Sequence, residues 1–350
     1  MVRRFLAQRL DRPPGLDGVT GVGGLTGLVR HLLAVQAQDP SAFPLALRAR
    51  LPGMSAGDVT RARADRKLVR CWGPRGTLHL VVADDLFWLY PLVKPAPAGS
   101  VRRLRELGTP AAADAVVSVV DAVLAGQGPL TKAELGDRLG AKGLAVTGQG
   151  IVHAAMLAAG RGLVVLGPEQ GGKPTYAHAA DWLGAPLRVS TTSAERAAAI
   201  RTLIARYRAA HDPCEPADLA AWSGLPLGEI ASAWESVPAA PAPAAAPAPA
   251  ELPVRLIPAY DEYLLGWRTR EHAVPEDFRA FVHPGGGVVR SAVLINGRAA
   301  GTWQLRRTPT RAELTVTPFA PLTPATRQAL ERETADIADF LSLPTRLTLP

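Results

Sequence analysis

A basic β-hairpin that follows three helical segments most constrains how this chain can fold. The segment from Leu68 to Val82 holds two β-rich runs interrupted by Gly73-Pro74-Arg75-Gly76, a turn-forming tetrapeptide. Apolar periodicity and turn residues predict helices upstream, over residues 25–38, 42–50 and 55–67. Three helices followed by a hairpin is the order of a winged helix, a helix-turn-helix variant that usually faces DNA.

The same order recurs downstream with weaker charge, which predicts tandem modules of one architecture. An alanine- and proline-rich stretch then separates them from strand-like runs around Asn296-Gly297 and one long helix. The predicted fold class is therefore α+β. The predicted domains are a winged helix at 1–108, a second at 109–190, a third at 191–236, a linker at 237–250 and a β-rich C-terminal domain at 251–350.

The net charge of +8 is concentrated at the N-terminal end of the chain. Residues 1–110 contain 17 Lys or Arg and 8 Asp or Glu, a net charge of +9, whereas residues 111–350 carry a net charge of −1. A localised basic excess favours a polyanionic partner, because each phosphate contact releases counterions. The alternative is that arginine only solubilises a chain rich in alanine, glycine and proline.

The composition points to a globular cytoplasmic protein. No run of about eighteen apolar residues predicts a membrane span, and the N-terminal segment is too polar for a secretory signal. Cys71 and Cys214 lie far apart and match no metal-ligand spacing, which fits a reducing compartment. We expect no metal, no cofactor and no membrane partner.

A cluster of polar residues ends the first predicted helix. Gln36, Gln38 and Asp39 follow an apolar run and are closed by Pro40, which stops helices because it lacks an amide donor. Polar side chains at a helix end can face a cleft. They are also the normal punctuation of helix ends, so both interpretations stay open.

Four basic residues are candidates for phosphate contact. Arg70, Arg75 and His79 lie in the predicted wing at 68–82, and Arg298 follows the Asn-Gly turn. Each of the four has ordinary surface charge as its alternative explanation.

Five sequence blocks, taken in order, resemble the winged-helix DNA glycosylases of the AlkZ type. The blocks are Gln36-Ala37-Gln38-Asp39-Pro40, Arg75-Gly76-Thr77-Leu78-His79-Leu80, Asp218 to Leu225, Leu256 to Gly266 and Asn296 to Trp303. The resemblance implies tandem winged helices around a basic channel, closed by a C-terminal β domain. It further implies excision of alkylated bases, including bulky and crosslinked antibiotic adducts, in DNA repair or self-resistance. The family's Gln-apolar-Gln catalytic motif falls on Gln36 and Gln38.

Glutamine chemistry restricts the substrate. Hydrolysis of an N-glycosidic bond passes through an oxocarbenium-like sugar and usually uses an acid-base pair. A glutamine amide does not titrate, but it can hold a water molecule in line for attack. That suffices only if the leaving base already carries charge, as an N3- or N7-alkylated purine does. On a helix, Gln36 and Gln38 would project about 200° apart, so both can address one water only if the helix has ended.

We therefore expect a monofunctional, monomeric, nucleoid-associated DNA glycosylase acting on double-stranded DNA with alkylated bases. No lysine lies beside the motif to support a Schiff-base lyase step. Asp39 is either a supporting general base or an N-cap for the next helix. The alternative function is a non-enzymatic winged-helix DNA-binding protein or regulator.

Overall fold

A computed structural model of the chain describes residues 1–11, 21–109, 112–238 and 247–350. The predicted linker at 237–250 lies largely outside the described residues. Helices and sheets are both present, which confirms the α+β class. None of the helices within the described ranges is long and apolar enough to cross a membrane.

The helices and strands follow each other along the chain in a mixed order. The helices are α1 (Val2–Ala7), α2 (Gly21–Leu32), α3 (Phe43–Arg48), α4 (Ala56–Ala64), α5 (Ala83–Val93), α6 (Pro97–Glu106), α7 (Ala113–Leu124), α8 (Lys132–Ala141), α9 (Gln149–Ala159), α10 (Ala179–Leu183), α11 (Ser193–His211), α12 (Pro216–Ser223), α13 (Leu227–Trp234), α14 (Glu262–Leu265), α15 (Arg279–Val282) and α16 (Pro324–Leu341). The strands are β1 (Val35–Gln36), β2 (Leu68–Trp72), β3 (Leu78–Val82), β4 (Leu130–Thr131), β5 (Val164–Gln170), β6 (Lys173–His178), β7 (Arg255–Ile257), β8 (Ala292–Ile295), β9 (Arg298–Arg307), β10 (Ala312–Pro318) and β11 (Thr345–Thr348).

The described residues form two compact units. The first unit comprises Met1–Val59, Arg201–Trp222 and Pro226–Pro350, and the second comprises Thr60–Ile200 and Ser223–Leu225. The first unit therefore contains the polar motif and the C-terminal sheet, and the second contains the predicted wing.

The second unit is built on two antiparallel hairpins. Strands β2 and β3 pair from Leu68↔Val82 to Trp72↔Leu78, which confirms the predicted hairpin. Strands β5 and β6 form the second hairpin, and within this unit the strands run in the order β3-β2-β5-β6-β4. Apolar faces of α7, α8 and α9, including Val120, Leu135 and Ala155, pack with them into one buried core.

The first unit contains a five-stranded sheet in the order β11-β10-β9-β8-β7. Strands β8 and β9 meet at Asn296 (φ 51°) and Gly297 (φ 75°), as the Asn-Gly pair predicts. Strands β10 and β11 are parallel, so the chain must cross over between them, and α16 makes that crossover.

A buried ion network holds α3, the helix after the polar motif. The guanidinium of Arg48 is 1% exposed and pairs with Glu333 at 2.9 Å and Asp336 at 2.8 Å, both on α16. Arg255 of β7 pairs with the other oxygen of Glu333 at 3.0 Å. Removing one partner of such a network leaves a buried charge without compensation, which is strongly destabilising. The network therefore fixes the position of α3.

Candidate active site

The polar motif lies beyond an abrupt end of α2. This helix ends at Leu32, so the prediction that it continues to Gln38 is wrong. Leu33 takes a φ of 71°, a left-handed conformation that cannot continue a right-handed helix. The amide of Ala34 then donates to the carbonyl of Leu32 at 2.9 Å, and strand β1 begins at Val35.

The early end of α2 changes the relation between the two glutamines. Side chains two positions apart along an extended chain project to the same side, whereas on a helix they diverge. Gln36 is the last residue of β1, and Ala37, which separates the two glutamines in the sequence, is completely buried. The helical divergence of Gln36 and Gln38 therefore does not apply.

Gln36 and Gln38 differ in exposure. Gln36 is 8% exposed, and its Oε1 atom is buried without accepting a hydrogen bond from any residue that the structure describes. Gln38 is exposed. A buried acceptor without a partner costs about 1–3 kcal/mol, so its presence in the motif calls for an explanation. The pair thus combines a sheltered acceptor with an accessible amide.

The backbone at Gln36 is held by a buried carboxylate. Glu262, the first residue of α14, accepts a hydrogen bond through its Oε1 from the backbone N–H of Gln36 at 2.7 Å. Its Oε2 accepts from the indole Nε1 of Trp222 at 3.2 Å. Glu262 and Trp222 belong to the first unit and are each 1% exposed, so both hydrogen bonds are buried.

The residue before Glu262 is fixed by an ion pair. Both oxygens of Asp261 accept from the guanidinium of Arg50, at 2.6 and 2.8 Å, and both side chains are completely buried. Asp261 also caps α14 by accepting from the Tyr263 amide at 2.9 Å. Arg50 donates in addition to Gln8 at 2.9 Å. The segment that carries Glu262 is therefore anchored independently of Gln36.

Asp39 forms a turn after the motif. Its Oδ1 accepts from the amide and from the hydroxyl of Ser41, both at 2.7 Å. The N-cap position of α3 is Ala42, which offers no side-chain cap, so the N-cap interpretation of Asp39 is wrong. The turn arises because a short carboxylate bonds its own backbone two residues on. The role of Asp39 as a supporting catalytic group stays a prediction.

An open cavity of about 310 Å³ lies beside Asp39 within the first unit. The start of α3 and strand β9 both contribute to its walls. Besides Asp39, the lining residues are Ser41, Ala42, Leu45, Pro258, Ala259, Ser291, Trp303, Gln304, Leu305, Arg306 and Arg307. Arg306 and Arg307 are exposed, so two cations stand at this cavity together with the Asp39 carboxylate.

The sequence model of the DNA glycosylase AlkZ-like family matches residues 29–340, from α2 to α16. The chain belongs to the AlkZ-like DNA glycosylase family. The match covers the polar motif, the framework around Glu262 and the cavity. The prediction of a DNA glycosylase, and hence of an enzyme, is confirmed.

A protein of Streptomyces sahachiroi gives the same answer by sequence and by structure. An interstrand DNA cross-link repair glycosylase of that organism is 28% identical over 383 aligned positions, covering 97% of this chain and 93% of the relative. The solved structure of the DNA glycosylase AlkZ from Streptomyces sahachiroi superposes with a TM-score of 0.71 and 26% identity, covering 99% of both chains. These relatives support DNA repair as the role of the AlkZ-like chain.

Three of the predicted DNA-contact residues lie on the hairpin of the second unit, in different environments. Arg75 is exposed in a 3-10 turn at Pro74–Gly76. Arg70 is 3% exposed, and its guanidinium lies 3.4 Å from Glu169, so contact with phosphate would require that pair to open. His79 is completely buried, its Nδ1 lies 3.0 Å from the Thr77 carbonyl, and burial lowers its pKa to about 4. The phosphate contacts stay predictions.

Arg298, the fourth predicted contact, begins β9 in the first unit and is exposed. The structure therefore groups it with Gln36, Gln38 and Asp39 in one unit, without bringing it to the cavity lining.

Sequence reasoning missed Glu262, Arg306 and Arg307. Glu262 stands inside the Leu256 to Gly266 block, where a polar pair in an apolar run is the available signal. Arg306 and Arg307 are the one adjacent arginine pair in residues 251–350, which could have marked them. Among the residues that the structure describes, no group of three or more His, Cys, Asp or Glu side chains could hold a metal ion.

Proposed function

We propose that this protein is a monofunctional DNA glycosylase that hydrolyses the N-glycosidic bond of N3- or N7-alkylated purines, including bulky and crosslinked adducts, in double-stranded DNA. The buried, unpartnered Oε1 of Gln36 supports this proposal most directly. This atom is closed to solvent, so in this proposal a water molecule reaches it when DNA binding opens the site; bound there, the water would satisfy the acceptor and would be oriented for attack on the sugar.

Gln36 and Gln38 divide the work in this proposal. The sheltered amide of Gln36 holds the water, and the exposed amide of Gln38 meets the DNA and completes the water's hydrogen bonds. Neither amide can protonate a leaving group, so the base must depart unaided. An alkylated purine cation does so, because bond cleavage neutralises its charge. The substrate is therefore selected mainly by the charge of the leaving base.

The chemistry stops at the abasic site. A lyase step needs an amine that forms a Schiff base with the sugar, and lysine is the usual side chain. Residues 1–59 and 201–350, which include all of the first unit, contain no lysine. The five lysines of the chain all fall between residues 60 and 200. This distribution supports a monofunctional enzyme.

DNA binding in this proposal rests on exposed cations. Arg306 and Arg307 stand beside the cavity that includes Asp39, and Arg75 and Arg298 stand on hairpins of the two units. Guanidinium groups pair well with phosphate oxygens, which supports contacts along the DNA backbone. We further infer the predicted tandem winged helices with their boundaries; hairpins that follow helices at 68–82 and again at 164–178 support the first two, whereas the third, at 191–236, rests on the helices α11, α12 and α13 alone.

The test uses a duplex with a single N7-methylguanine, with strand breaks after hot alkali as the signal for base release. The wild-type protein should release the base, and Gln36→Ala and Gln38→Ala should each reduce the single-turnover rate about 100-fold, the typical effect of a mispositioned reactant. Gln328→Ala is the matched control, because Gln328 is an exposed glutamine of α16.

Two results would refute the proposal. One is wild-type rates in both motif variants. The other is tight DNA binding by the wild-type protein without base release from any duplex in a panel of N3- and N7-alkylpurines. The same duplex with an unmodified guanine should remain intact, because a neutral base cannot leave without an acid.

A further inference from the structure

A buried carboxylate beside the motif has no part in the chemistry proposed above. Glu262 is 1% exposed in the interior of the first unit. Burying a carboxylate is unfavourable, and apolar residues of similar volume often replace buried ions without loss of stability. A buried glutamate at this position therefore needs a reason other than stability.

Both oxygens of Glu262 receive hydrogen bonds from donors of fixed direction. The backbone N–H of Gln36 donates to Oε1 of Glu262 at 2.7 Å, a length typical of charge-assisted hydrogen bonds. The Trp222 indole donates to Oε2 at 3.2 Å. The carboxylate thus joins β1 to α12 and α14. It fixes the backbone of Gln36, from which the side-chain amide of that residue projects.

The chain is strained on both sides of this contact. Leu33, three residues before Gln36, has a φ of 71°, and Tyr260, two residues before Glu262, has a φ of 59°. Such conformations cost about 1–2 kcal/mol for a residue with a Cβ, and they persist only where the surroundings enforce them. The ion pair between Asp261 and Arg50 enforces the second position.

We propose that Glu262 is a positioning residue for base excision. It holds β1 in place through the backbone N–H of Gln36, and it thereby keeps the side-chain Oε1 of Gln36 aimed at the attacking water. The contact spans 226 residues of sequence, so it can be formed only in the folded first unit. This inference rests on the proposed function of Gln36.

A carboxylate is required because two donors converge on it. A glutamine at position 262 has one acceptor oxygen. Its NH2 group, a donor, must therefore face another donor, either the backbone N–H of Gln36 or the indole N–H of Trp222. Removing the indole donor with Trp222→Phe removes the conflict. The variant Glu262→Gln should therefore be inactive alone and partly restored in combination with Trp222→Phe.

The kinetic test is single-turnover excision of N7-methylguanine with DNA affinity measured in parallel. Glu262→Gln should reduce the excision rate about 100-fold, with DNA affinity within about threefold of wild type. Trp222→Phe removes one of the two donors to Glu262, so it should reduce the rate less than Glu262→Gln does, and the double variant should excise at least about tenfold faster than Glu262→Gln. Recovery of this kind distinguishes positioning from a merely structural role.

The matched control is Glu333→Gln. Glu333 is also a buried glutamate of the first unit that accepts from a backbone amide, that of Leu256 at 2.9 Å, but it does not bond the motif. This variant should lose stability and keep its excision rate. Equal loss of rate in the Glu262 and Glu333 variants would overturn the proposal, as would a wild-type rate in Glu262→Gln or no recovery in a folded double variant.

Hydrogen exchange tests the contact without reference to activity. A peptide covering residues 33–40 should lose amide protection in Glu262→Gln, but keep it in Glu333→Gln. Unchanged protection would overturn the positioning role even if excision fell. Failure of the wild-type protein to excise any alkylpurine would instead refute the proposed function, while the exchange result would still decide whether Glu262 locks β1.

Discussion

Acid should destabilise the first unit through two buried histidines. His211 stacks on Tyr207 with ring centroids 4.1 Å apart and lies edge-on to Trp267 at 5.0 Å. Burial is the main cause that lowers the pKa of His211 to about 3, and nearby His31, Arg50 and Arg4 lower it further. Burial likewise lowers the pKa of His272 to about 3.

These lowered pKa values determine how the free energy of unfolding changes with pH. As the pH falls below about 6.5, the unfolded chain takes up protons that the folded chain still excludes, so the free energy of unfolding decreases. The stability is complete above the unfolded pKa and is lost as the pH falls towards the folded value. Between pH 6 and 5 the loss is about 1.2 kcal/mol for each histidine, or about 2.5 kcal/mol for both.

His211→Asn isolates one of these contributions. An asparagine amide can reproduce the 3.1 Å hydrogen bond between Nδ1 and the Tyr207 carbonyl, and it does not titrate. A larger ring is unsuitable, because even a Cβ on Gly266 would lie 2.5 Å from Cδ2 of His211. Urea unfolding should show the variant less stable than wild type at pH 7, with a deficit that shrinks by about 1.2 kcal/mol between pH 6 and 5. A deficit that stays constant over that range would refute the reasoning.

Three further perturbations test other features. Asp261→Ala should lower the free energy of unfolding by about 3–5 kcal/mol in urea titrations, because it leaves a buried guanidinium without its partner. Replacing Arg306 and Arg307 together by alanine should lower the slope of log affinity against log salt by about 2 in fluorescence anisotropy, one for each lost phosphate contact. Burial raises the pKa values of Cys71 and Cys214 to about 12, so neither thiol of the folded protein should react rapidly with Ellman's reagent at pH 8, and the half-buried Cys214 should react before the buried Cys71.

The two substitution experiments have control variants in the same chain. Glu276→Ala breaks an exposed pair with Arg279 and should cost less than about 1 kcal/mol, so an equal loss in both carboxylate variants would contradict the first prediction. Arg327→Ala removes an exposed arginine of α16, and the same salt slope in all variants would contradict the second. Rapid labelling of the native protein at either thiol would contradict the third.

The local parts of the fold were predictable from the sequence. Strand-forming residues around Gly73-Pro74-Arg75-Gly76 predicted the β2–β3 hairpin, because glycine and proline favour turns. Asn296-Gly297 predicted the β8–β9 turn, because both residues tolerate the positive φ that they adopt. The helix predicted near the C-terminus is α16, which runs from Pro324 to Leu341. In each case the information lies within a few residues of the element.

The errors arose where distant contacts override local preference. Leucine disfavours a positive φ, so the residue type at position 33 does not predict that α2 ends there. The apolar run from Leu25 to Leu33 instead predicts a continuous helix that ends only at Gln38. The contact between Gln36 and Glu262 spans 226 residues and leaves no periodic signal. The glutamine motif was therefore recognisable from the sequence, whereas its supporting framework was not.

That framework matters more for neutral catalytic groups than for charged ones. A charged acid or base acts partly through long-range electrostatics, but an amide acts only through hydrogen bonds of about 1 kcal/mol each, which depend steeply on geometry. On the proposed mechanism, Gln36 and Gln38 gain catalytic power by holding water accurately, so rigidity at β1 replaces acidity. The lesion supplies the remaining driving force through its positive charge. On the same proposal, selection by leaving-group charge needs no pocket shaped to one alkyl group, so one site would serve adducts of very different size.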